Sequence, residues 1–510
     1  MDIRFHLNRL TLWIKNPTKI ELHLSLKLIV NVTIAKCLHI CHAKHRGRSV
    51  LNLVRAAAIV TLTYLPLQIH AYDLAPDFQD KIKIEQASDI VNLSKTTERL
   101  ITRYLEQSSR NTDVDTINLE RLANNIRSEL SQGKDKPLLM LNLAQKIHSA
   151  LPSIRSNIDT NNTALFIRVL LVSGDTKTAL NLSEEVFENA SYLTTGLVNY
   201  HLALHYFEHG DFENAQKYLL SIDANDGLSP AEQDFAQLIF AITLQHQKEH
   251  RKAIKVYEKI PSNSPHFIYA KLNQALAYLL QGWWTDAQLA IETALKQDIP
   301  KDALDVKNRA LLFLAYSQLK HEYYRNARQS LRKISLDSPY VNRALLAMGL
   351  AALNQKDYLG AINAFTRLKN SKIDELAKTE SHLMIPFTYE SMGDINEAEA
   401  RYTESLAFFA NEILSWQKKS LDLREITNVI SAVENINFPK HLVRQFRFLN
   451  LTSPNDLNSS LRSEFEQTKK AFNDSMRAII NTHHQEQISY IKSYQSQAQF
   501  ALARLYDDNQ

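Results

Sequence analysis

The residue types that could do chemistry in this chain are histidine, cysteine and carboxylate, and their spacing limits what each can do. His201, His205 and His209 recur every four residues, so a helix places them near one face. Two His at i and i+4 can chelate a metal, but the metalloprotease pattern needs Glu directly after the first His, and Leu202 stands there. Polar residues on a solvated helix face are the simpler reading. His483-His484 lies in a Gln-rich run and reads the same way. Cys37 and Cys41, with His39, His42 and His45, have the wrong spacing for haem attachment, and no second ligand pair follows at zinc-site spacing. Lys36 and Ile40 stand where a lipidation signal needs a small residue. The chain has no phosphate-cradling Gly loop and no Gly-x-Ser-x-Gly elbow, and its carboxylates are scattered, so no acid–base pair can be drawn. The expectation is no catalytic residue, no cofactor and no metal.

The elements that would position such residues are helices. Of 510 residues only 10 are Gly and 13 Pro, too few Gly for a turn-rich sheet fold. Ala, Leu, Gln, Lys and Glu abound, and all are good helix formers. The net charge of +4 is unevenly placed. Residues 1–71 carry ten Lys or Arg and two acids, which leaves 49 basic and 53 acidic residues in 72–510. A mildly acidic body offers no electrostatic footprint for nucleic acid.

Lys44-His45-Arg46-Gly47-Arg48 precedes an apolar run from Ala56 to Leu67, and Gln68-Ile69-His70-Ala71 closes the segment. A basic flank, a short apolar core and a small terminal residue make a secretory signal. We expect cleavage after Ala71, or a membrane anchor if the segment stays. The run falls short of the roughly 20 residues of a comfortable span. The domains expected are therefore 1–49 as an upstream extension, 50–71 as signal or anchor, 72–158 as a helical N-terminal cap, 159–407 as a repeat array and 408–510 as a C-terminal helical region. Both cysteines precede Ala71, so the mature chain would hold no disulfide.

A small residue recurs a few positions after a polar turn, at Ala179, Ala215, Ala253, Ala287, Ala327, Ala361 and Ala398, with intervals of 36, 38, 34, 40, 34 and 37. Gly174, Gly210, Gly282 and Gly393 each stand five residues earlier, and Asp175, Asp211 and Asp394 follow three of them, where a side-chain oxygen can cap a helix. Ala203, Ala241, Ala275, Ala315 and Gly349 hold a small position in the preceding helix, and Tyr206, Tyr278 and Tyr389 an aromatic one. The period, close to 34 residues, resembles the tetratricopeptide family over about half the chain. The family's usual first-helix Trp is missing, Pro386 replaces the small residue of the last unit, and the longest interval implies an insertion near Lys301. The resemblance implies an all-α fold: a right-handed α-solenoid of about seven helix pairs with a helical N-terminal cap and long C-terminal helices. Beyond Phe408 the pattern fades. From Leu461 apolar residues keep helical phase to Leu505, so either one helix over 459–507, on the order of 70 Å long, or two helices split at Asn481–Gln487 would cap the array, form a coiled coil or lie in its groove.

In this family first-helix side chains line the concave groove. The resemblance places Tyr200, Leu204, Phe207, Phe235, Leu238, Ile242, Leu272, Leu276, Leu312, Tyr316, Leu346, Leu350, Leu383 and Phe387 there, with Arg309 and Arg343 in one column. Ordinary packing between repeats would explain the same apolar stripe. Trp283 should point outward, while Trp284 takes the packing position that Tyr358 fills elsewhere. The Lys/Asn pattern that clamps a terminal carboxylate is missing. With the signal, the resemblance implies a non-enzymatic scaffold of the Gram-negative periplasm, or an inner-membrane-anchored one. It would bind a peptide or helix of another envelope protein, with no nucleic acid. The alternative is a periplasmic chaperone, or a secretion or polysaccharide-biogenesis accessory.

Overall fold

A computed structural model describes residues 88–109, 118–131, 137–223, 227–297, 304–371, 376–419, 440–452 and 457–508. The signal segment, both cysteines and the insertion near Lys301 lie outside them. Every element among the described residues is a helix. Three come first: α1 (Ser88–Ser109), α2 (Leu119–Ser131) and α3 (Pro137–Ser156). Then first and second helices alternate: α4 (Asn161–Ser173) with α5 (Thr176–Asn189), α6 (Tyr192–Glu208) with α7 (Phe212–Leu220), and α8 (Pro230–His246) with α9 (His250–Tyr257). The order continues with α10 (Phe267–Leu280) and α11 (Trp284–Leu295), α12 (Leu304–Lys320) and α13 (Tyr324–Arg332), α14 (Val341–Asn354) and α15 (Tyr358–Lys369), and α16 (Leu376–Met392) and α17 (Ile395–Lys418). Two more close the chain, α18 (Lys440–Leu451) and α19 (Ser459–Asp508).

One turn is built again and again. The backbone takes positive φ at Gly174, Gly210 and Gly282, and at Gly393. Lys248, Glu322 and Lys356 adopt the same conformation in the other pairs, although a side chain there costs about 1 kcal/mol or more. The amide of the next residue reaches back to the first helix: Asp211 N–H donates to Tyr206 O at 2.9 Å and Trp283 N–H to Tyr278 O at 2.9 Å. This is a Schellman closure, which satisfies carbonyls that the helix end leaves open. The same residue is the N-cap of the second helix. Asp175, Asp211, Asp357 and Asp394 each accept the amide three residues on, at 3.3, 3.1, 3.0 and 3.3 Å.

Packing separates the two kinds of helix. First helices touch the first helices of adjacent pairs, whereas among the described residues second helices have no comparable contact with one another. First helices are accordingly buried on several sides; α10 buries Leu272, Asn273, Gln274, Ala275, Leu276 and Ala277 in succession. Second helices bury one stripe, as α7 does with Ala215 and Leu219. Close crossing needs small residues. A Cβ on Gly349 would fall 2.3 Å from the Phe365 ring, and the seven landmark alanines are fully buried.

The C-terminal helices join the two ends of the array. Helix α19 runs unbroken for 50 residues, about 75 Å. Its first half buries Leu461, Phe465, Phe472 and Met476 in one core with α1, α3, α4 and α18. Its second half buries Ile488, Ile491, Tyr494 and Leu505 against Tyr402 and Phe409 of α17. Helix α18 and the first half of α19 therefore complete the N-terminal core, which α1, α2 and α3 share with them.

Candidate functional site

Three places bring chemically capable side chains together. In the first, Asp175 caps α5, its Oδ1 accepts the Thr102 hydroxyl of α1 at 2.6 Å, and its Oδ2 is bonded to His148 Nε2 of α3. A histidine–carboxylate pair can move protons, but all three side chains are buried. They tie α1, α3 and α5 together and present no atom to a substrate.

The second is the junction of α1, α6 and α18. His209 closes α6, its Nδ1 bonded to His205 O at 2.8 Å. Its ring lies 4.1 Å from that of His205 and 4.3 Å from that of His441 on α18. Glu98 Oε1 of α1 is 3.7 Å from His209 Nε2, and Arg444 of α18 is 3.5 Å from Glu208. Burial raises the Glu98 carboxyl to about 7, outweighing the nearby Thr176 hydroxyl and Lys95, which lower it. Burial likewise pushes His201 down to about 3, aided by Arg168. His201 and His205 are thus interior residues of α6, not members of a solvated face. The repeat's first helix is enclosed on several sides, which a four-residue polar spacing does not reveal. His484 is also buried, against the Trp416 ring at 5.2 Å, because α19 lies on α17. Among the described residues, no group of three metal-ligating side chains is positioned to hold an ion.

The third is the array itself. Tyr200, Leu204, Phe207, Phe235, Leu238, Ile242, Leu272, Leu276, Leu312, Tyr316, Leu346, Leu350 and Leu383 are all buried, and so is Arg309. All the apolar residues among them except Leu276 belong to the cores in which one pair packs on the next. Arg343 and Phe387 are half-buried. Trp283 is 39% exposed, its ring 6.0 Å from that of Tyr278 and 5.6 Å from the Arg251 guanidinium. Trp284 packs inward on the rings of His321 at 3.8 Å and Tyr323 at 5.1 Å. Tyr323, 52% exposed, stands at the next pair's equivalent of Trp283, as the N-cap of α13. Sequence reading passes over Tyr323. The register that finds Trp283 also reaches it, 40 residues on, where the longest interval stretches the period.

Scans against known protein families and curated proteins match none. Among solved structures, the chain is similar to a tetratricopeptide repeat protein from Parabacteroides merdae, at 15% identity, 52% of this chain, 96% of that chain and a TM-score of 0.31. It is also similar to a Rap protein complexed with competence and sporulation factor, at 11% identity, 79% of this chain, 99% of that chain and a TM-score of 0.27. The left-handed turn residue and the small crossing residue return in every pair, the Asp cap in four of them, and together they make the described array an α-solenoid of helix pairs, similar in arrangement to tetratricopeptide repeats.

Proposed function

We propose that the chain is a non-enzymatic protein-binding scaffold of the bacterial cell envelope. It would hold a peptide or helix of another envelope protein on its helix-pair array. The observation that carries this reading is Trp283: a large ring left open to solvent on a turn that four of the other pairs cap with Asp. Exposed Trp is over-represented among residues that dominate binding energy. Half-buried Arg343 and Phe387 are the other surface positions of the proposed contact. The buried residues of the stripe serve it indirectly, by fixing the spacing between pairs. The envelope location is supported by the signal-like residues 50–71, and among the described residues no helix is long and apolar enough to cross a membrane.

The test is crosslinking pull-down from native envelopes with the wild-type chain and with Trp283→Ala and Phe387→Ala. A defined partner, captured by the wild type and lost or reduced about tenfold in either variant at unchanged helicity, supports the scaffold. Protection of many unfolded clients, with no fixed partner, would overturn it in favour of a chaperone-like accessory. Leu276→Asp is unsuitable, because it buries a charge in the core.

A further inference from the structure

The fourth and fifth pairs carry a feature that packing does not require. Four of the pairs cap the second helix with Asp, and α9 is preceded by Glu249, which makes no side-chain capping bond. At α11 and α13 the caps are Trp283 and Tyr323, and neither makes a side-chain capping bond. A missing cap of this kind costs about 1 kcal/mol. Both rings nonetheless keep a large share of their surface in solvent. Two neighbouring pairs have exchanged a stabilising acid for an exposed aromatic.

The charge around these rings differs from that of the rest of the array. Residues 248–337 carry fifteen basic and nine acidic residues, while 72–510 as a whole carry 49 basic and 53 acidic. On α9, Arg251 lies over the Trp283 ring, with exposed Lys252 and Lys255 on the same helix. On α13, exposed Arg325 and Arg332 have no ion pair among the described residues, and Arg328 is held by Asp357 at 2.9 Å. The acids on this edge include Glu249, which pairs with Lys252 at 2.6 Å, exposed Asp286 and Glu322, and exposed Glu258, whose Oε1 accepts the Tyr278 hydroxyl at 3.4 Å. Over residues 248–337 as a whole, cationic groups therefore outnumber acids.

We propose that this edge, centred on Trp283 and Tyr323 and flanked by Arg251 and Arg325, is a docking surface for an acidic peptide segment with aromatic or aliphatic side chains. The proposal rests on the scaffold reading and names the chemistry of its partner. The rings take the apolar side chains, and the guanidinium groups take the carboxylates as charge-assisted hydrogen bonds. Charge complementarity between a basic edge and an acidic segment speeds encounter and fixes direction along the edge. A long polyanion such as single-stranded nucleic acid would have to lie across a body that is otherwise acidic, so the peptide is the favoured occupant.

The test uses the full chain and a fluorescein-labelled peptide alternating Glu-Asp with Leu-Phe, read by anisotropy. Two further peptides replace the acids by Lys or the apolar residues by Ser, and an oligothymidylate serves as the polyanion. The expected result is binding of the acidic apolar peptide alone. It should weaken at least tenfold in the Trp283→Ala/Tyr323→Ala variant, and to a similar degree in Arg251→Glu/Arg325→Glu. Leu289→Ala, at an exposed site on α11, should change nothing. Equal binding of the Lys peptide, no binding of the acidic apolar peptide, preference for the oligonucleotide, or indifference to both double variants would each overturn the proposal. If Trp283→Ala/Tyr323→Ala still captures the envelope partner of the wild type, this surface falls and the scaffold stands. If the wild type captures none, the scaffold falls with it.

Discussion

Glu98 shows what burial does to a single side chain at the junction of α1, α6 and α18. Its carboxyl sits half-buried beside His209, held at about 7 against an ordinary value near 4.5. Lys95 on its own helix and the Thr176 hydroxyl favour the ionised form, but desolvation outweighs them. The folded state therefore binds this proton more tightly than the unfolded state does. The resulting stabilisation is complete below about pH 4.5 and is lost as pH rises through 7. His201 and His382, pushed down to about 3 and about 4 by burial, act in the opposite sense, costing stability once pH falls below about 6.5. At pH 8 the buried histidines are neutral in both states, and the Glu98 effect stands alone. Glu98→Gln is therefore expected to stabilise the fold at pH 8 by on the order of 1–2 kcal/mol, and by much less at pH 5. Denaturant melts at the two pH values measure this. A variant equally destabilised at both would mean that the carboxylate is held by an ion pair instead.

At the scale of the element, the turn between paired helices decides what sequence can disclose. The left-handed residue and the Asp cap act locally, so Gly174, Gly210, Gly282 and Gly393 and the acids that follow three of them are legible from spacing alone. Lys248, Glu322 and Lys356 take the same backbone shape without a glycine to mark it, and only the small landmark residue beyond each turn keeps the count. The groove was less legible. A side chain facing the next pair and one facing an open groove both read as apolar at first-helix positions, and the folded array places that stripe inside. The capping difference also makes a prediction. Trp283→Asp and Tyr323→Asp should restore the bond that Asp211 and Asp357 make. Each is expected to raise stability by about 0.5–1 kcal/mol, less whatever the ring contacts with Tyr278 and Trp284 contribute, while removing a ring from the proposed docking edge. Urea denaturation of the two variants checks it, and a loss of stability would show that the rings are needed to hold the turns.

For the whole molecule, the decisive contacts join residues far apart in sequence. Arg103 of α1 pairs with Glu464 near the start of α19, and Glu390 at the end of α16 pairs with Arg504 near its finish. No periodicity reveals such pairings, because apolar residues at helical spacing fit a cap, a coiled coil or a groove-filling helix equally well. The structure makes α19 a strut between the first core and the last pair. An α-solenoid with free ends flexes because each unit touches only its neighbours; a strut fixed at both ends removes that freedom and holds the docking edge at one curvature. Ending the chain after Asn481 separates the two roles. Phe465, Phe472 and Met476 would stay in the N-terminal core, while Ile488, Ile491, Tyr494 and Leu505 would be lost from α17. Burial of such side chains contributes roughly 1.5–3 kcal/mol each, an upper estimate since the unfolded chain already hides part of that surface. The truncated chain is expected to keep most of its helicity, bind a hydrophobic dye at the exposed face of α17, and show a larger radius of gyration by small-angle X-ray scattering. An unchanged radius would mean that the stacked pairs hold their curvature unaided and that α19 only covers the last of them.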